Sequence, residues 1–168
     1  MRYYLDTEFD GHNGPLLSVG LVREDGHSLH VRTKARADDP WVQEHVEPRM
    51  DWHMADVDAS NVRQNHVGGL LRRFVADDAA PTIIADSVVD IARFCKAIST
   101  DDDGNWCSVG GDMMFEVHDV SCYPTDLPGG IQHNAWWDAM ALKYKLTNEV
   151  AQATHAAQVD DDRSREEL

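Results

Sequence analysis

The stretch RYYLDTEFDGHNGPLLSVGLVREDGHSLHVRT, residues 2–33, decides the fold. Residues 2–6 and 16–22 are rich in apolar, aromatic and β-branched side chains, and residues 27–33 alternate between apolar and polar, as strands do. Turn-forming residues at 10–15 separate the first two segments, and Glu24-Asp25-Gly26 separates the second from the third. The sequence therefore predicts three consecutive antiparallel strands at the start of the fold.

The remainder of the chain predicts helices interleaved with further strands. Helical spacing of apolar side chains, or a capping residue, marks four segments: 40–46, 60–77 (capped by Ser60), 88–98 and a helix from about Asn134 to Leu146. Apolar runs mark two more strands, at 82–85 and around 113–117. Sheet and helices together predict an α/β or α+β fold in which helices cover the sheet.

Length and composition predict the organisation of the chain. At 168 residues and 42% hydrophobic content, we expect one domain over residues 1–158 and an acidic, flexible tail at 159–168. Residues 1–6 reach a carboxylate before an apolar signal segment could form, so we expect a cytoplasmic protein with no membrane partner. Three cysteines without CxxC spacing argue against a disulfide framework or a cysteine-rich zinc site.

The balance of acidic and basic side chains limits the classes of partner that the protein can bind. Fifteen basic against thirty acidic side chains give a formal charge of −15. A broad basic face that grips duplex DNA is therefore excluded, because such a surface repels polyanions. Two interpretations remain: the acids bind divalent cations, or the surface is adapted to a salty or crowded cytoplasm.

Asp6 and Glu8 form the strongest local signal. Residues i and i+2 of a strand project from the same face, so these two carboxylates point together at the end of the first strand. Like charges placed that close raise one another's pKa unless a cation lies between them. The alternative is that the strand ends at Asp6 and both acids face water.

His133 and Asp138 form the second signal. On one helix their separation would splay them apart, but Asn134 is a credible N-cap that leaves His133 in the preceding loop. Asp138 then lies just over a turn into the helix, near the positive end of its dipole. The two side chains can converge on one site; the alternative is an exposed histidine and a solvated acid.

A third acid is expected from the strand-then-helix unit at residues 82–98. Asp86 follows the strand and Asp90 lies in the first helical turn. Asp90 is favoured as the metal ligand, although Ser87 to Asp90 also fits a capping box. Both acids therefore stay candidates.

These residues carry a family resemblance. Asp6-Thr7-Glu8-Phe9 resembles the first motif of the DEDD exonucleases and Asp90 the second, while His133, Asp138 and Ala139 match the H-x4-D-A third motif of the DEDDh branch. The match spans residues 6–139 and is similar to the small stand-alone 3′-to-5′ exoribonucleases of mycobacteria and bacteriophages. The resemblance implies a ribonuclease H-like fold: a mixed sheet, three antiparallel strands first and parallel strands added, flanked by helices.

The resemblance also implies a chemistry. Two Mg²⁺ or Mn²⁺ ions, about 3.5–4 Å apart, would clamp the scissile phosphate. The implied ligands are the four carboxylates Asp6, Glu8, Asp90 and Asp138. Asp6 would bridge the ions and His133 would be the general base.

The resemblance implies, finally, a substrate. This is the 3′ end of single-stranded RNA or DNA, with RNA favoured by the resemblance alone, and the products are nucleoside 5′-monophosphates. Thr7 and Phe9 would contact the substrate, Phe9 by stacking on the terminal base. The alternatives are a DNA-directed exonuclease of the same fold and a catalytically silent nucleic-acid-binding or interaction module. The sequence names no protein partner and leaves a homodimer open.

Overall fold

Six strands form one sheet within residues 1–149, the part of the chain that the computed structural model describes. In chain order they are β1 (Arg2–Phe9), β2 (Leu16–Arg23), β3 (Ser28–Thr33), β4 (Val57–Val62), β5 (Thr82–Ala85) and β6 (Met114–Val117). Their order across the sheet is β4-β3-β2-β1-β5-β6. β1, β2 and β3 pair antiparallel, whereas β4 joins β3, β5 joins β1 and β6 joins β5 in parallel. This confirms the predicted mixed α/β sheet and is consistent with a ribonuclease H-like fold.

Helices cover both faces of the sheet. They are α1 (Pro40–His45), α2 (Val67–Val75), α3 (Val88–Ile98) and α4, which is helical throughout residues 135–149. Within residues 1–149 no helix is long and apolar enough to cross a membrane. The predicted domain boundary at residue 158 and the predicted tail at 159–168 lie outside the described residues.

β1 separates two cores because its side chains alternate between the faces of the sheet. Tyr3 and Leu5 pack in the larger core beneath α2 and α3. Tyr4 packs on the opposite face against Leu142 of α4. Asp6 lies two residues beyond Tyr4, so the strand directs its carboxylate to the face that α4 covers.

The predicted helix over residues 60–77 is wrong in its first part, where β4 forms instead and α2 begins only at Val67. Ser60 therefore lies in a strand and not at a helix cap. Asp56 fastens the start of β4, because its Oδ2 accepts hydrogen bonds from the backbone N–H and the hydroxyl of Ser28, at 2.8 and 3.0 Å. The open edge of β3 offers backbone partners that local helical spacing does not reveal.

Gly20 brings the first turn of α4 against the sheet. It lies on β2 directly opposite Asp6, and a Cβ at this position would clash with the backbone carbonyl of Ala135. Ala135 is itself fully buried at the start of α4. The missing side chain at residue 20 therefore sets how closely α4 approaches the end of β1.

Gly20→Ala should lower the free energy of unfolding by about 2–4 kcal/mol, because the new methyl group meets backbone that cannot rotate away. Urea unfolding measures the change. Ser18→Ala is the matched control, since Ser18 is two residues away on the same strand and its buried hydroxyl has no hydrogen-bond partner among the described residues. We expect that control to stay within about 1 kcal/mol of the wild type. Equal losses in both variants would contradict the role of Gly20.

Candidate active site

Carboxylates from separate parts of the chain meet at the carboxyl end of β1. Those that interact at this point are Asp6, Glu8, Asp86, Asp90 and Asp138. Carboxylate oxygens of Asp6, Glu8 and Asp138 lie within 4.8 Å of one another, and so do oxygens of Asp6, Asp86 and Asp90. Asp6 belongs to both groups. The structure thus places Asp6 between two sets of oxygen ligands.

Asp90 is held by the strand beside it. Ser87 caps α3, its Oγ accepting a hydrogen bond from the Val89 N–H at 3.1 Å, so Asp90 lies in the first turn. The Thr7 hydroxyl and the Thr7 N–H both donate to Asp90 Oδ1, at 2.5 and 3.2 Å. Thr7 is buried, and the contact that its hydroxyl makes in the structure is with this carboxylate. The predicted contact of Thr7 with substrate stays a prediction.

A carboxylate oxygen of Asp86 lies within 4.8 Å of oxygens of both Asp6 and Asp90. It follows β5, and the Cys122 thiol donates a hydrogen bond of 3.5 Å to its Oδ2. Asp86 and Asp90, the two candidates for the third acid of the metal site, therefore lie next to each other in the fold. Asp90 is the more firmly oriented of the two, because Thr7 donates to it twice.

The start of α4 positions His133 and Asp138. Asn134 caps the helix, its Oδ1 accepting hydrogen bonds from the N–H groups of Trp136 and Trp137 at 3.1 and 3.3 Å. The Asn134 N–H in turn donates to Asp138 Oδ2 at 3.0 Å. His133 stays in the preceding loop as predicted, with a φ of 60°, a conformation uncommon outside glycine and enriched at functional sites.

His133 and four of the five clustered carboxylates open into one cavity of about 480 Å³. Its walls include Asp6, Glu8, Asp90, His133 and Asp138, with Thr7, Phe9 and residues of α1. The Trp41 ring meets the His133 ring edge-on, with centroids 5.1 Å apart. The structure therefore gathers the favoured site residues around a single opening, and the alternative candidate Asp86 is not among its walls.

A second, larger cavity of about 720 Å³ lies between the β1–β2 turn and α3. Among residues 1–149, no acidic side chain lines it, whereas Arg93 and Lys96 of α3 do. Phe9, on the wall of the smaller cavity, is covered by the Arg93 guanidinium at 4.0 Å from the ring centroid. Phe9 and Arg93 therefore lie where the two cavities meet.

Burial and mutual repulsion raise the pKa of the clustered carboxyls. Burial, followed by the charges of Asp138 and Asp90, lifts the pKa of Asp6 well above its usual range. The same causes raise the pKa of Glu8 to about 8. Burial raises the pKa of Asp138 to about 7 and that of Asp90 to about 6. Without a cation, this cluster holds protons that an isolated carboxyl would release at neutral pH.

Burial lowers the pKa of His133, and the positive charge of Arg49 lowers it further. The imidazole is therefore neutral at pH 7 and able to accept a proton. Arg49 also acts on the carboxylates, since its charge partly offsets the rise in the pKa of Glu8. The charge of Arg49 thus acts on both the acids and the histidine of this site.

The donor set fits a hard divalent cation. Carboxylate oxygens are the ligands that Mg²⁺ and Mn²⁺ prefer, and no sulfur or imidazole belongs to either oxygen group. A cation among Asp6, Glu8 and Asp138 would remove the repulsion that raises their pKa values. The close packing of these acids is therefore the structural feature that fits a bound divalent cation.

The metal-free protein should lose stability as the pH rises. A carboxyl whose pKa is higher folded than unfolded binds more protons in the folded state, so the free energy of unfolding falls between the two pKa values. For Glu8 that window runs from about pH 4.5 to about pH 8. Because the Glu8 side chain is only half-buried and water screens it, we expect Glu8→Gln to recover about 1–2 kcal/mol at the upper end.

Urea unfolding in EDTA at about pH 5 and about pH 8 measures this dependence. Glu44→Gln is the control, because Glu44 is exposed on α1. The same pH dependence in the wild type, Glu8→Gln and Glu44→Gln would contradict the linkage to Glu8.

Two contributors escaped the sequence interpretation. Arg49 lies in a short 3₁₀ turn, Glu47–Arg49, and no motif distinguishes it from the other ten arginines of the chain. Gly20 has no side-chain chemistry of its own, and its importance lies in its register opposite Asp6. A buried strand glycine opposite a strand-end acid is the one signal that could have pointed to it.

The fold and the cavity define a class: an α/β protein whose central strand ends in a carboxylate cluster with a histidine beside it. Two curated proteins are similar to part of the chain, the 3′-5′ exoribonuclease Rv2179c of Mycobacterium tuberculosis strain H37Rv and the 3′-5′ exoribonuclease MT2234.1 of strain CDC 1551. Each is 45% identical over 58 residues, which cover 30% of this chain and 33% of the relative. No family model matches the chain. The relationship to 3′-5′ exoribonucleases thus rests on a match to about a third of each relative's length.

Proposed function

We propose that this protein is a divalent-metal-dependent 3′-to-5′ exonuclease that acts on single-stranded RNA and releases nucleoside 5′-monophosphates. One observation carries the proposal: acids from β1, the β5–α3 unit and α4 converge with His133 around a single cavity. The partial similarity to mycobacterial 3′-5′ exoribonucleases supports the direction of attack and the choice of RNA.

The carboxylates would hold the ions. Asp6, Glu8 and Asp138 form one oxygen group, and Asp6, Asp86 and Asp90 form the other. Mg²⁺ or Mn²⁺ bound there would supply positive charge that the chain lacks, polarise the scissile phosphate and stabilise the leaving 3′ oxygen. Thr7 fixes the orientation of Asp90, and the Asn134 N–H fixes that of Asp138.

His133 would accept the proton of the attacking water. Its ring lines the cavity next to the carboxylates, and its lowered pKa keeps it in the basic form at neutral pH. The Trp41 ring packs edge-on with the His133 ring, at a centroid distance of 5.1 Å. Arg49 would stabilise negative charge on the phosphate, because its guanidinium already acts on both Glu8 and His133.

The nucleotides that precede the 3′ end of the bound RNA would lie along the larger cavity. A net charge of −15 does not attract nucleic acid over the whole surface, so local cations must guide it. Arg93 and Lys96 line that cavity, and Phe9 offers an aromatic face where it meets the carboxylate cleft. The arrangement favours a short single strand over a duplex.

Labelled oligonucleotides test the proposal. The protein is incubated with 3′-labelled and 5′-labelled single-stranded RNA and DNA in Mg²⁺, Mn²⁺ or EDTA, and product sizes are read on a gel. We expect labelled mononucleotide as the first product from 3′-labelled RNA, a ladder shortening by single nucleotides from 5′-labelled RNA, and no product in EDTA.

Other product patterns contradict the proposal in distinct ways. Oligomers as first products indicate an endonuclease, and faster loss of DNA than of RNA indicates a DNA-directed enzyme of the same fold. Binding of the oligonucleotides without any product, in either metal, indicates a catalytically silent module.

A further inference from the structure

A second cluster of metal-binding side chains lies on the same sheet, two strands away from Asp6. It consists of His30 on β3, His53 in the segment before β4, and Asp58 on β4. One potential ligand atom from each lies within 4.8 Å of the other two. Asp58 and His30 are register partners across β3 and β4, so the backbone itself sets their separation.

His30 is the unusual member of this cluster. It is fully buried, and neither ring nitrogen has a hydrogen-bond partner among the described residues. An unpaired buried polar group costs about 1–3 kcal/mol, so a histidine in this position needs a reason that packing alone does not supply. Its ring lies edge-on against His53 with centroids 4.4 Å apart, which aims it into the cluster.

His53 and Asp58 complete the arrangement. His53 Nε2 lies 3.3 Å from Asp58 Oδ1, and its Nδ1 accepts a hydrogen bond from the Ala55 N–H at 3.3 Å. The His53 side chain is 8% exposed and that of Asp58 is 41% exposed. The cluster is therefore closed on the histidine side and open to water beside the carboxylate.

We propose that His30, His53 and Asp58 bind one transition-metal ion, with Zn²⁺ the best fit. Two imidazoles and one carboxylate make a donor set that zinc accepts with a water in the fourth position. Mg²⁺ prefers an all-oxygen set, so this site and the carboxylate cleft select different ions. Metal bound to His53 Nε2 would require the tautomer with its proton on Nδ1, so the contact of Nδ1 with the Ala55 N–H would open when the ion binds.

Arg32 is the one neighbouring cation that opposes this ion among the described residues. Its guanidinium contacts both oxygens of Asp58, at 3.0 and 2.9 Å. A carboxylate oxygen has two lone pairs, so Asp58 can keep Arg32 and still bind metal through Oδ1. The nearby positive charge lowers the affinity of the site and does not block it.

The location gives the ion a structural role. Trp52, next to His53, accepts hydrogen bonds at its carbonyl from Trp137 Nε1 at 2.8 Å and from Asn134 Nδ2 at 3.2 Å. Asn134 is the cap of α4 and the neighbour of His133. An ion on His53 would therefore fix the segment that braces the start of α4.

Metal titration of the full chain tests this site. Chelator-stripped protein is titrated with Zn²⁺ in excess Mg²⁺ by calorimetry, with the visible spectrum of Co²⁺ as a second readout of imidazole ligation. We expect one equivalent of Zn²⁺ and a rise in Tm. His53→Gln and His30→Leu should each lower the affinity at least about 100-fold, because even residues that only hydrogen-bond to ligands cost about 10–100-fold. His66→Gln, at an exposed histidine, should keep it.

Three results would overturn the proposal. One is wild-type protein that takes up no Zn²⁺ in excess Mg²⁺, and another is His53→Gln that binds within about threefold of the wild type. The third is binding that survives in the histidine variants and disappears in Glu8→Gln, which assigns the ion to the carboxylate cleft. His53 lies in a loop, so His53→Gln decides the matter if His30→Leu does not fold. Zn²⁺ uptake without nuclease activity leaves this site standing and counts against the proposed function alone.

Discussion

Asp6→Asn is expected to lower the rate of nucleotide release at least about 1000-fold and to leave the protein folded. Asp6 is the one side chain shared by both oxygen groups, so its loss removes a ligand from each ion. Asparagine keeps the volume of the side chain but carries no charge. Because the Asp6 carboxyl is crowded by Asp138 and Asp90, the neutral amide also relieves repulsion and should raise Tm without metal.

The experiment compares kcat on single-stranded RNA in Mn²⁺ with the Tm in EDTA. Asp77→Asn, at an exposed aspartate beyond α2, controls for the loss of one negative charge and should change neither value appreciably. An Asp6→Asn protein that keeps more than about a tenth of the wild-type kcat would refute the two-ion arrangement.

His133→Asn is expected to lower kcat about 10²–10⁴-fold, the usual contribution of a general base. Its burial and the charge of Arg49 lower the pKa of His133, so the neutral base persists as the pH falls and activity should decline only at pH values below the ordinary pKa of histidine. With Mn²⁺ at a saturating concentration, which keeps the clustered carboxylates ionised, that decline should disappear from the pH profile of the variant, since asparagine does not titrate.

Metal binding separates this role from a structural one. Mn²⁺ affinity should stay within about threefold of the wild type in His133→Asn, because His133 belongs to neither oxygen group. His66→Asn serves as the matched control at an exposed histidine. Loss of Mn²⁺ binding in His133→Asn, or an unchanged acid limb in its pH profile, would show that His133 shapes the site and does not accept the proton.

The parts of the fold that could be predicted from sequence are those that local chemistry determines. Alternation along β1 placed Asp6 and Glu8 on one face, and Asn134 marked the start of α4 well enough to leave His133 in the loop. Both inferences used interactions within a few residues. The predicted helix at Ser60 failed because a distant strand edge, that of β3, captured the segment.

The sequence identifies the residues that the structure brings together but not what surrounds them. The acids stand out by type and spacing, but sequence could not separate Asp86 from Asp90, and both lie beside Asp6 in the fold. Arg49 acts through a through-space charge, and Thr7 through a hydrogen bond to a residue in another element. Contacts between separate elements depend on how those elements pack, which no local pattern encodes.

The first turn of α4 packs directly on the backbone of Gly20, and this close packing affects how the protein is inactivated by heat. Because no side chain separates β2 from α4 at this point, the start of the helix cannot open locally while the sheet stays folded. Heat inactivation should therefore coincide with global melting, and a preparation that has kept its secondary structure should also have kept its catalytic geometry.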